Sequence, residues 1–166
     1  TKSADLMNAV RREHTVPDEI RSLFKVTDEK VRKAGADIVS ESRGKLDALR
    51  DSWYNGGMSF KDYQKARSKI VSEAELLTDR AQRNTSNGVN QLEDIYDALV
   101  GGSRPGMYGH GHDYYKSYNN RVQEIWANYC SLSLTRPDLI DALRKHEPEL
   151  VRALDNVAAE IEKRIV

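Results

Sequence analysis

A single cysteine, Cys130, stands in a chain of 166 residues. One thiol excludes an internal disulfide and any cysteine-based zinc cluster, and it points to a reducing environment. With no histidine or aspartate near it in sequence, Cys130 reads as a small core residue rather than a nucleophile. Net charge is missing as well. Lys and Arg number 26 and Asp and Glu number 26, so there is no global basic field to hold nucleic acid, and only a local patch remains open. No apolar run approaches the ~18 residues of a membrane span. The N-terminal TKSADLMNAVRREH lacks the apolar core of a secretory signal and lacks an initiator Met, so a fragment of a longer protein is expected. No Ser/His/Asp arrangement, phosphate-binding glycine loop or nucleotide fingerprint occurs, and neither does an internal repeat.

What is present is helical periodicity. Ser3 to Glu13 and Asp18 to Phe24 predict two short helices, the first capped by Ser3 and the second opened by Pro17. Val31, Ala34, Ile38, Ser42, Leu46, Leu49 and Trp53 then recur at three- and four-residue steps, with Thr27 as the expected cap. Asn55-Gly56-Gly57 breaks that pattern. Ser59 caps the next helix, whose stripe reads Tyr63, Ala66, Ile70, Ala74, Leu77, Ala81. Both stripes are narrow with charged flanks. The pair reads as a long antiparallel hairpin that cannot close a wide core alone. Further helices are expected at Val89 to Val100, from Asn120 onward, at Pro137 to His146, and after Glu147-Pro148. Ser103 to Asn119, rich in Gly and Tyr, reads as a loop or small β-hairpin. The fold class is nearly all-α, in three stretches: short N-terminal helices (1–26), the long hairpin (27–83) and a C-terminal helical region (84–166).

The reactive-looking side chains gather in the YGHGHDYYKSYNN stretch and just beyond it. His110-Gly111-His112 is a spacing that chelates a metal in a loop, or equally a tight turn whose histidines bond backbone carbonyls. Glu124 falls on the side of its helix opposite Val122 and Trp126, with Arg121 and Asn128 as polar neighbours. It is either a solvated glutamate or a carboxylate ligand facing a cleft. Trp126 and Tyr129 are expected in the core. His14 and His146 read as isolated surface or cap residues, and the tyrosines as packing for the loop.

Three motifs in order carry a resemblance: "DIYDALVGG" from Asp94, "YGHGHDYY" from Tyr108 and "EIWAN" from Glu124. The chain from Asp94 to the C-terminus resembles the C-terminal part of bacteriophage minor head proteins of the Mu F-type head morphogenesis family. That family resembles zinc peptidases in which two histidines of an HExxH helix and a glutamate on a later helix bind the metal, and the glutamate inside HExxH activates the bound water. The resemblance implies Glu124 as the third metal ligand and His110 as the turn histidine of the site, with His112 and Tyr115 as further candidates. This chain has no HExxH; in "REHTVPDE" at Arg12 to Glu19, Pro17 and the spacing rule out a two-histidine helical face. The expectation is therefore a head-associated protein segment with half of a zinc-peptidase-like site, not catalytic by itself, located in the bacterial cytoplasm or the virion. Zinc would enter only the full-length protein. The expected partners are head proteins or the upstream part of the same polypeptide, not nucleic acid or a membrane. A purely structural or interaction module of a virion, and an injected effector or toxin domain, stand as alternatives.

Overall fold

The computed structural model describes residues 1–102 and 112–165, and every regular element in them is helical. The α-helices are α1 (Lys2–Arg11), α2 (Asp18–Tyr54), α3 (Phe60–Ser86), α4 (Val89–Val100), α5 (Tyr118–Thr135), α6 (Pro137–His146) and α7 (Pro148–Ile165), with a 3-10 turn at Tyr114–Lys116. The expected all-α class is what forms. No strand occurs among the described residues. Of Ser103 to Asn119, where a loop or small β-hairpin was expected, residues 103–111 lie outside them, and 112–119 hold the 3-10 turn and the first residues of α5. No described helix is long and apolar enough to cross a membrane.

Several boundaries differ from the periodicity. α2 is one helix of 37 residues, where the sequence predicts a short helix and a second one capped by Thr27. Thr27 sits inside the helix and is buried. No Gly or Pro separates Phe24 from Asp28, and the β-branched Val26 and Thr27 cost only tenths of a kcal/mol each, about 0.5 kcal/mol. Nothing local is strong enough to stop the helix. α1 starts at Lys2 because Thr1, not Ser3, accepts from a first-turn amide, that of Ala4. α5 starts at Tyr118 because the Ser117 hydroxyl caps it, accepting from the Asn120 amide. The Ser59 cap forms as the spacing predicts: its hydroxyl accepts from the Asp62 amide at 3.1 Å and donates to the Asp62 carboxylate at 2.8 Å.

The chain divides into two units, 1–25 with 88–166 and 26–87. The first 25 residues thus belong with the C-terminal region instead of standing as a separate stretch. The reason is apolar area: α1 packs on α7 and α5, burying Leu6, Ala9 and Val10 in the same core as Leu150, Val151 and Leu154. Ile20 and Phe24, from the first turns of α2, join that core, and Phe24 meets Tyr96 edge-on at 6.1 Å. Each such aliphatic or aromatic side chain contributes about 1.5–3 kcal/mol when fully buried. Tyr129 donates to the Asp155 carboxylate, tying α5 to α7. Burial, with that bond, pushes its phenol up to about 12.

The second unit holds the remainder of α2, the turn and α3. Trp53 stacks on Tyr63 at 4.8 Å across the turn, and Phe60 lies 5.3 Å from the Trp53 ring. Side chains at 39–46 and 70–82 line one groove, the order of an antiparallel pair.

His14 is not the surface residue that its isolation in sequence suggests. Its side chain is 5% exposed. Nδ1 lies 3.0 Å from the Glu147 carboxylate and Nε2 lies 2.9 Å from the Ala9 carbonyl. Both partners only accept, so the site is built for the doubly protonated imidazolium. The Glu147 bond raises the His14 pKa, against the opposing effects of burial and Arg12. A raised folded-state pKa gives stability that is complete below the unfolded value, about 6.5, and is lost as pH rises through the folded value. The melting temperature should therefore fall from weakly acid to alkaline pH by the equivalent of about 1–3 kcal/mol. Glu147→Gln should flatten that step. Superimposable melting-versus-pH curves for the two proteins would contradict the pairing.

Candidate functional site: a polar seam between α4 and α5

α4 is buried on nearly all sides: Val89, Leu92, Ile95, Tyr96, Ala98 and Leu99 enter the core, and so do two carboxylates, Glu93 and Asp97, each 4% exposed. Two contacts set its register against α5. Gln91 Nε2 donates to Ser131 Oγ at 2.6 Å, and a Cβ at Gly101 would lie 2.6 Å from Arg121 Nη2. The helices therefore run antiparallel, with Asp94 level with Asn128, and Asp97 level with Ile125 beside Glu124. On α4, Asp94 and Ala98 fall on the strip between the two contacts, and Glu93 and Asp97 flank it at helical spacing. On α5, Arg121, Glu124, Asn128 and Ser131 follow one another at steps of three and four, so they share the stripe that meets α4.

Glu124 is half-buried on this stripe, on the polar side that the helical wheel predicts. Asn128 holds it: the amide nitrogen donates to the Glu124 backbone carbonyl at 3.0 Å and to Oε1 at 3.2 Å. That places one carboxylate oxygen in a fixed orientation on a rigid helix. Arg121 closes the end of the seam. Its Nε donates to the Tyr115 carbonyl, and its guanidinium lies 4.6 Å from the Tyr118 ring centre. Gly101, at φ 78°, lets α4 end in the left-handed region directly under that guanidinium.

The remaining candidates divide. His112 is exposed, and its Nδ1 donates to the Gly101 carbonyl at 3.0 Å. Since a carbonyl only accepts, Nδ1 carries a proton, so in the neutral ring Nε2 is the nitrogen with the free lone pair. His112 and Arg121 both touch Gly101, and Glu124 lies one turn further along α5, so His112 and Glu124 belong to the same end of the seam. Tyr115 is fully buried, edge-on to Tyr114 at 5.3 Å and packed over Gly102. It is a core residue that anchors the turn. His110, the expected turn histidine, lies outside the described residues. Trp126 is a correction: it is partly buried at the edge of the core, stacked on Tyr129 at 5.9 Å, because Ile125, Tyr129 and Leu132 occupy the centre of that face.

Sequence reasoning missed the acids of α4. The signal was there in Glu93, Asp94 and Asp97, at steps of one and three inside an otherwise apolar helix. Among the described residues, no group of three His, Cys, Asp or Glu side chains is placed to hold a metal ion. No protein family, curated protein or solved structure matches this chain.

Two substitutions separate the scaffold of the seam from its exposed chemistry. Gly101→Ala forces a side chain into the left-handed region and against Arg121, and should cost about 1–2 kcal/mol. Glu124→Ala removes a half-buried carboxylate that accepts from Asn128 on its own helix, and should cost less than about 1 kcal/mol. Chemical denaturation of both variants checks this. A Glu124→Ala loss equal to or greater than that of Gly101→Ala would make Glu124 part of the scaffold.

Proposed function

We propose that this chain is a segment of a phage or prophage head-associated protein, and that its α4–α5 seam contributes Glu124 to a zinc-peptidase-like site completed by histidines from another segment. The observation that carries the reading is the fixed Glu124 carboxylate, oriented by Asn128 on the stripe of α5 that lies against α4. A ligating carboxylate must be ionised and preoriented by an outer hydrogen bond, and Asn128 supplies such a bond. The His112 ring, with Nδ1 committed to a carbonyl, offers Nε2 at the same end of the seam.

The sequence holds no HExxH. No step of hydrolysis is therefore assigned to this chain. Its part is to hold a carboxylate in register for a helix that brings two histidines and a general base. The place of action follows from the same proposal: a bacterial cytoplasm during assembly, or a virion.

Zinc titration tests it, followed by calorimetry and by competition with a chromophoric chelator. The chain alone should take up no stoichiometric zinc. Mixed with or joined to a family HExxH segment, it should bind about one zinc per complex, in keeping with a three-residue protein ligand set, and Glu124→Ala should remove that binding while leaving the fold intact by circular dichroism. Zinc uptake by the complex that is indifferent to Glu124→Ala would overturn the reading.

A further inference from the structure

The second unit leaves an apolar surface that its own helices do not cover. Along their middle, side chains of α2 and α3 line an open groove of about 540 Å3, its apolar lining including Val39, Leu46, Ile70, Val71 and Ala74. Val39 is 51% exposed and Leu77, on the adjoining strip of α3, 45%. Contiguous apolar area of this kind on a helix pair marks an association surface.

The rims carry opposite signs. Arg43 borders the groove on α2; Glu75 and Asp79 border it on α3. Asp79 is held by Arg83. Neither Arg43 nor Glu75 has an ion-pair partner among the described residues. Counting away from the turn contact of Trp53 with Tyr63, Arg43 and Glu75 stand at nearly the same height on opposite sides of the groove.

This geometry points to a second copy of the chain as the occupant, with the two hairpins face to face in a four-helix bundle. A twofold axis parallel to the helices lays α2 of each copy over α3 of the other. It sets the apolar floors together and brings each Arg43 to the other copy's Glu75. The interface is isologous, so one basic rim and one acidic rim give two ion pairs per dimer. Any other partner would have to present an apolar strip with the same two rims reversed, and this hairpin already does. The face lies on different residues from the α4–α5 seam, so it stands or falls independently of the zinc proposal.

Light scattering coupled to size exclusion, with sedimentation velocity, tests it from low to high micromolar concentration. The wild-type chain should show a concentration-dependent doubling of mass. Arg43→Glu and Glu75→Arg should each shift it towards monomer, and the double variant R43E/E75R should restore the dimer, because the swapped charges again face their opposites. Both charges are on the surface, so helical circular dichroism should be unchanged in all three. Ile70→Asp should abolish the dimer. A chain that stays monomeric throughout overturns the inference, as does a dimer that the single charge reversals leave intact or that the double swap fails to restore.

Discussion

Burial of two carboxylates on a helix that is otherwise core is the constraint on which the first unit depends. Glu93 and Asp97 are as inaccessible as the Leu and Ile residues around them. An ionised carboxylate removed from water is costly unless hydrogen bonds or opposite charge replace the lost solvation. Helices packed against α4 must therefore offer polar groups as well as apolar ones. α5 does so with Arg121, Glu124, Asn128 and Ser131 on one stripe, and Ile125, Tyr129 and Leu132 on another. The split character of α5 is what leaves a polar seam inside a small helical core. It also explains why Glu124 is held by its own helix through Asn128: a carboxylate beside other carboxylates needs a donor close at hand.

The second unit obeys different rules. Its helices are long, charged and striped, with solvent-exposed intrahelical ion pairs such as Lys45 with Glu41 at 2.8 Å, which water screens. The stacked aromatic group of Trp53, Tyr54, Phe60 and Tyr63 closes the turn end. Along the middle, apolar residues line a groove and stay accessible. Helical propensity and turn chemistry are sufficient to make such a hairpin, but a full set of buried contacts requires another surface.

Much of this was legible in the residues. Helical periodicity marked where the described helices run, though it split α2 in two; Ser59 marked a true start and Asn55-Gly56-Gly57 the turn, because caps and breakers act through local backbone chemistry. Local chemistry also set the limits. The passage of α2 through Val26-Thr27 was hidden because Thr is a good cap only where the backbone is extended, and nothing nearby extends it. The joining of residues 1–25 to the C-terminal helices depends on contacts between distant positions, as does the His14–Glu147 bond across 133 residues. Of the site, the polar orientation of Glu124 and its neighbour Asn128 were readable from a helical wheel. The burial of Glu93 and Asp97 was not, since it is decided by what packs around α4. Tyr115 was a site candidate through the family resemblance, whereas its residue type alone read as packing, and it is completely buried.

Site-resolved amide hydrogen exchange tests most directly whether α4 and its seam are the pivot of the first unit. If the buried acids are fully accommodated and α4 is locked between its neighbours, its amides from Leu92 to Leu99 should exchange only through global unfolding, together with those of α5 around Ile125 and Tyr129. Exchange of α4 through local openings, faster than α5 and comparable with the middle of α3, would contradict the account and leave Glu124 without a rigid frame.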